Sequence, residues 1–116
     1  MAVDLDSIRR ELAVLARNKK LRSTEWNRMA PSEWRPTQVR NPHAEGFYFT
    51  DIGAWHYIAT LLEGGHPLEE ILLSQPPNGR GYVMHVELET GGPTLYIKVE
   101  RRSGRIIGRS FHYSYR

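Results

Sequence analysis

One histidine, one lysine and one arginine fall on three successive strand-like runs: His85 in YVMHVELE (82–89), Lys98 in TLYIKVER (94–101) and Arg109 in RIIGRSFHYSY (105–115). Metal-free RNA cleavage uses this set of side chains. A base removes the proton of the ribose 2′-hydroxyl, cations hold the charge that builds on the phosphorane, and an acid protonates the departing 5′-oxygen. Histidine is the side chain that ordinarily titrates near neutrality, so His85, or His112 on the last run, suits the base or acid role. Lys98 and Arg109 would form the electrostatic clamp. Tyr96 and Tyr113 join the catalytic candidates only where neighbouring cations make a phenol more acidic. Tyr96 and Phe111, beside Lys98 and Arg109, could also stack on a base and so complete a nucleic-acid-binding surface.

Whether these groups converge depends on strand register. Ser103-Gly104 predicts a two-residue hairpin, which sets Lys98 opposite Arg109, Tyr96 opposite Phe111 and Leu95 opposite His112. A four-residue loop, Thr90-Gly91-Gly92-Pro93, sets His85 opposite Lys98 and Glu87 opposite Tyr96. Met84, Val86, Leu88, Leu95, Ile97, Val99 and Ile106 then share one face, as a sheet packed against helices requires. Gly108 lies among them, where a helix side chain would need the space. The other face carries the rows His85–Lys98–Arg109 and Glu87–Tyr96–Phe111, with Tyr113 extending the edge. Three cations in a row repel one another; Glu87 answers part of that repulsion and a phosphate would answer more. Lys, Glu, Tyr and His on a strand also satisfy strand propensity and solubility without chemistry. A catalytic face, a docking face and a merely solvated one all remain open at this point.

Upstream elements must position that sheet. Residues 4–18 carry Leu5, Ile8, Leu12 and Leu15 at helical spacing, with Asp4 available as the cap. From 19 to 46 the periodicity disappears, and Pro31, Pro36 and Pro42 break a basic stretch that also holds Trp26 and Trp34; an irregular strap with its tryptophans against the core is expected. Thr50 or Asp51 caps a second helix with apolar positions Ile52, Trp55, Ile58, Ala59 and Leu62, ended by Gly64-Gly65. His66-Pro67 opens a short third helix, LEEILL, with two glutamates in its first turn. Pro76, Pro77, Asn78 and Gly79 mark the turn before the sheet over 82–115. The expected fold is a single α+β domain over 1–116: two or three helices packed on one face of a three-stranded antiparallel sheet.

Composition narrows the function classes. At 116 residues, 40% apolar and 25% charged, the chain has the balance of one soluble globular domain. A net charge of +3 permits nucleic-acid or acidic partners without demanding them. Absence of cysteine excludes disulfides, thiolate nucleophiles and cysteine zinc sites. The five histidines lack a zinc spacing such as HExxH, and there is no phosphate loop or dinucleotide fingerprint, so neither metal nor cofactor is expected. His56 reads as a surface histidine on the second helix, His66 as a cap or turn residue, and His43 as a strap residue with no spacing partner. No run approaches the ~20 apolar residues of a membrane span, and MAVDLDSIRRE lacks the apolar stretch of a signal peptide; no membrane association and a cytoplasmic location are the expectation. Oligomeric state is not legible, because an edge at 105–115 could pair with a second copy or face water.

The order of elements over residues 50–115, with HPLEEILL, GYVMHVELE, LYIKVE and IIGRSFHYS in succession, resembles the small bacterial ribonuclease toxins of toxin–antitoxin systems, the MqsR and RelE-like group. That resemblance implies a sheet that binds and cleaves mRNA, often on the ribosome, and an antitoxin partner that covers or disables it. It matches Lys98 to a phosphate-contacting sheet lysine, Arg109 to a basic residue near the final strand, and Tyr113 or His112 to the terminal proton-transfer group. The low net charge, and Glu87 and Glu100 on the proposed face, depart from the pattern. The rival reading is a non-catalytic module that binds nucleic acid or protein, including an antitoxin or immunity-type partner protein.

Overall fold

The computed structural model describes residues 4–24, 33–44, 46–73 and 79–114. Two helices cover one face of a six-stranded mixed sheet. Helix α1 (Leu5–Arg17) begins where Asp4 accepts the Ser7 N–H at 3.2 Å, and it buries Leu12, Ala13, Leu15 and Ala16. Helix α2 (Asp51–Glu63) is capped by Thr50, whose hydroxyl oxygen accepts the Gly53 N–H at 2.9 Å. It buries Ala54, Trp55, Ile58, Ala59 and Leu62, whereas Ile52, on the expected apolar stripe, is exposed in the first turn. Arg17 forks onto both carboxylate oxygens of Glu63 at 2.8 Å and ties the two helices together.

The strands are β1 (Arg22–Thr24), β2 (Glu33–Trp34), β3 (Glu69–Leu72), β4 (Arg80–Glu87), β5 (Thr94–Arg102) and β6 (Arg105–Ser114). Their order is β1-β6-β5-β4-β3, and β2 also pairs with β6. The expected three-stranded antiparallel sheet is therefore only the centre of a larger one. β1 and β2 run parallel to β6 along the same edge, with Arg22 opposite Ile106 and Trp34 opposite Phe111. Strands of three and two residues are too short to leave a periodic signal.

LEEILL forms no helix. β3 pairs antiparallel with β4, setting Glu69 opposite Val83 and Ile71 opposite Gly81. A helix of that length has too few internal hydrogen bonds to offset its nucleation, while a strand can use the edge of β4 at once. Gly81 makes the close approach feasible, since a Cβ there would lie 2.8 Å from Leu73 Cδ2.

Both expected registers are corrected. Between β4 and β5, His85 faces Tyr96 and Glu87 faces Thr94, so the loop spans 88–93 and the pairing shifts by two residues, which preserves the faces. Between β5 and β6 the two-residue hairpin forms, with Ser103 at φ 51° and Gly104 at φ 74°, the left-handed pair that a type I′ turn needs. It sets Val99 opposite Gly108, but the next pair is Lys98 with Ser110. Arg109 is thus the extra residue of a β-bulge, and every side chain beyond it changes face. Phe111 turns into the core, fully buried, and His112 turns out.

The same bulge leaves Gly108 beneath the strap. A Cβ at residue 108 would lie 2.6 Å from Trp34 Cζ3, so the space belongs to the strap indole and not to a helix side chain. Trp34 packs between Trp55 and Phe111, with ring centroids at 4.9 and 5.6 Å, and its Nε1–H donates to Asp51 Oδ1 at 2.7 Å. The Arg35 N–H adds a bond to the Phe111 carbonyl at 3.0 Å. A single 3₁₀ turn, Pro36–Gln38, and a short reversal closed by the Phe49 N–H to the Val39 carbonyl lead on to α2. Trp26, and Pro76, Pro77 and Asn78 of the expected turn, lie outside the described residues.

Two stability outcomes follow. Gly108→Ala should cost about 1–3 kcal/mol by overpacking against Trp34, read as a lower urea midpoint with an unchanged slope. Ser103→Asn should raise that midpoint, because asparagine tolerates the left-handed conformation that serine is forced to adopt here.

Candidate functional site on the exposed sheet face

The sheet face turned away from the helices is built in tiers across β4, β5 and β6. The row His85–Lys98–Arg109 does not form. In its place stands His85–Tyr96–His112, with ring centroids 5.5 Å apart on one side of Tyr96 and 5.4 Å on the other. The His85 ring meets Tyr96 edge-on at 68°, and the His112 ring stacks on it at 30°. His85 is exposed; Tyr96 and His112 are half-buried. The His66 ring fixes the backbone below, with its Nε2 2.9 Å from the His85 carbonyl.

His112 is held at both nitrogens. Its Nδ1 lies 2.9 Å from the Tyr113 carbonyl, which can only accept, so the proton belongs on Nδ1. Nε2 is the nitrogen turned toward Glu33, 3.5 Å from its Oε2. Ser110 donates its hydroxyl to the same Glu33 oxygen at 3.2 Å. Glu33 reaches this place because β2 pairs it with Ser110 while Trp34, the next residue, faces the core. Neither Glu33 nor Ser110 was among the residues singled out from the sequence.

Lys98 occupies the neighbouring tier, two residues from Tyr96 on the same face, a step of about 6.6 Å. It is half-buried between Val83 and Ser110, and no carboxylate among the described residues lies within 4.0 Å of it. Arg109 is placed otherwise. Its Nη1 is 3.0 Å from Glu100 Oε1, while Arg102 donates from Nε to Glu100 Oε2 at 2.8 Å. Glu100 is 1% exposed beneath the two guanidiniums, so it is a structural counter-ion. Phe111, expected to stack on a base, is part of the core. Tyr113 points the same way, packs on the core and accepts the Arg40 N–H on its hydroxyl at 3.0 Å. Phe111 and Tyr113 therefore leave the exposed face, and Arg109 leaves the clamp.

The remaining candidates stay apart. His56 is exposed on α2, and the His43 ring lies 6.1 Å from Tyr57. Burial pushes the Tyr57 hydroxyl above the usual phenol range; burial, reinforced by Glu70, does the same for Tyr82. Both residues pack with the core that the helices cover, away from His85. Among the described residues no group of three or more His, Asp or Glu side chains could hold a metal ion, and no helix is long and apolar enough to cross a membrane. A shallow hollow of ≈ 220 Å³ beside His85, lined also by Gly92, Pro93, Thr94 and Ser114, adjoins the end of the row.

One signal for the true register was present in the sequence. Phe111 and Tyr113 alternate with His112 and Ser114, so the large aromatics ask for the core face. Ile106 asks for it too, five residues before Phe111, and an odd separation cannot keep one face without a bulge between them.

Removing the buried anion tests the Glu100 assignment. Glu100→Ala should cost about 3 kcal/mol in urea unfolding, because two arginines lose their common counter-ion, with Glu100→Met tolerated better than alanine. Comparison with protein-family models, with curated proteins and with solved structures returned no match to this chain.

Proposed function

We propose that this protein is a metal-independent endoribonuclease of toxin type, acting on the exposed sheet face at His85, Tyr96, His112 and Lys98. The observation that carries this reading is the bracket of two imidazoles about one tyrosine, with Lys98 one tier away. A phosphate seated over Tyr96 can be approached from both sides. His85 takes the proton of the ribose 2′-hydroxyl, whose oxygen attacks the adjacent phosphorus. Lys98 balances the charge on the non-bridging oxygens. His112, oriented by the Tyr113 carbonyl and by Glu33, gives its Nε2 proton to the departing 5′-oxygen. The products are a 2′,3′-cyclic phosphate and a 5′-hydroxyl, and proton balance is restored when the two imidazoles exchange protons with water. Tyr96 offers a ring to stack a neighbouring base and a hydroxyl to the phosphate. A cytoplasmic location and an antitoxin-like partner belong to the same reading.

A second reading has its own support. Arg109 is tied to Glu100 and the hollow beside His85 is shallow, which suits a face that binds single-stranded nucleic acid without cutting it.

Incubation of purified protein with RNA in EDTA separates the two. Cleavage to 2′,3′-cyclic ends, reduced about 10²–10⁴-fold in His85→Gln or His112→Gln and about 10²–10³-fold in Lys98→Gln, is expected for the enzyme. Arg109→Gln should act chiefly on stability. Binding without cyclic ends would leave the binding module, and cleavage undiminished by all three substitutions would overturn the assignment of the site.

A further inference from the structure

Positive charge is concentrated at one end of the sheet, away from the imidazole row. Lys19, Lys20, Arg22, Arg101, Arg102 and Arg105 gather at the β5–β6 hairpin. Arg102 is opposite Arg105, and Arg22 and Arg101 flank Ile106 on either side. The Ile106 N–H donates to the Leu21 carbonyl at 2.9 Å, which brings Lys19 and Lys20 alongside the turn. The described carboxylates at this end are Glu11, paired with Arg101, Glu100, beneath Arg102 and Arg109, and Glu70, paired with Arg80. With Arg80 and Arg109 included, eight cations against three anions exceed the net +3 of the whole chain, so the remainder of the molecule is close to neutral or acidic.

These cations divide by what holds them. Arg22 donates to the Ala16 carbonyl at 2.8 Å and Arg101 to Glu11, so both serve the fold. Lys19, Lys20 and Arg105 are exposed, and no described carboxylate lies within 4.0 Å of any of them. Like charges held together with no counter-ion cost stability unless something anionic sits there. From this end Arg102, Glu100, Lys98 and Tyr96 follow one another on the same face of β5, with Glu100 buried beneath the guanidiniums, a path of about 20 Å from Arg102 to the imidazole row.

We propose that single-stranded RNA lies lengthwise along β5 and β6, with the phosphates on one flank of the scissile bond seated on Lys19, Lys20 and Arg105. The proposal rests on the reading of His85–Tyr96–His112 as the place where RNA is held. An acidic protein fits this end less well. Protein interfaces have an apolar centre, and the exposed large apolar residues Val14, Phe47, Tyr48, Ile52 and Leu72 all lie on other segments. Point charges without an apolar centre suit a phosphate backbone, whose contacts position the strand and carry no sequence information. The single flank also gives the enzyme a polarity, because among the described residues the paired strand positions at the opposite end of the row are Glu87, Thr94 and Ser114.

The test uses uniformly 2′-O-methylated RNA, which lacks the attacking hydroxyl and is bound whether or not the protein is an enzyme. Oligomers of about four and about twelve nucleotides bracket the 20 Å path. Lys20→Glu/Arg105→Glu should weaken the longer oligomer about tenfold or more at about 50 mM salt, and lower its log–log salt slope by about 1.4. The shorter oligomer should lose far less. Lys20→Gln/Arg105→Gln, checked for an unchanged thermal midpoint, should show the same pattern at smaller size. Unchanged affinity and slope would overturn the proposal, as would an equal loss for both lengths. RNA binding that persists while a poly-glutamate peptide is released would assign the same end to an acidic protein instead. RNA cleavage by a protein whose charge variants bind normally would remove this flank and leave the imidazole row standing.

Discussion

The indole of Trp34 lies where a side chain of residue 108 would be, and that one contact governs the geometry around it. It closes β2 against β6, and through Asp51 it ties the start of α2 to the sheet. Alternation along β2 then decides the rest. With Trp34 facing the core, Glu33 must face out, and the register on β6 sets it against Ser110 and within reach of His112. The candidate proton donor is thus oriented by a residue whose position is fixed by packing on the far side of the sheet. Changes at Gly108 or Asp51 would reach the site without touching it.

Arg109 shows how a local irregularity redistributes roles. As the bulged residue it leaves the strand's alternation, reaches Glu100, and lets Phe111 and Tyr113 supply the core while His112 takes the exposed position. A buried carboxylate under two guanidiniums is weak as a source of stability, since desolvation offsets most of the attraction. Its effect here is positional. Glu100 keeps the bulge and the hairpin arginines in fixed relation, and it also reduces the cationic field next to Lys98, which leaves that lysine as the principal charge beside Tyr96.

Much of this was legible in the sequence wherever a period was long enough to read. Both helices follow from apolar spacing and from caps at Asp4 and Thr50, and the three long strands follow from alternation and the Ser103-Gly104 turn. The helix-on-sheet arrangement follows from the shared apolar face of those strands. Where the reading departed from the structure, a non-local contact had won. The edge of β4 turned LEEILL into a strand, the demand of Phe111 for the core created the bulge, and two strands too short to show a pattern found their partners far away in the chain. Within the site, His85, Tyr96, Lys98 and His112 were visible as residue types. Their grouping was not, because a shift of two in one pair and of one in the other rearranged every row.

The parallel edge has a kinetic side. Residues 22–24 pair with 106–108 and 33–34 with 110–111, so the contacts that bring in Glu33 close loops that span most of the chain. Helices α1 and α2 and the β4–β5–β6 meander are built from nearer neighbours and can form first. During that interval the outer edge of β6 is an open row of backbone donors and acceptors, with Gly108 and Phe111 uncovered beside it. Pairing of β1 and β2 closes this edge, and Trp34 then covers Gly108. A molecule caught before that step would carry the histidines in place yet lack the carboxylate that orients one of them, and would be prone to pair its edge with another chain.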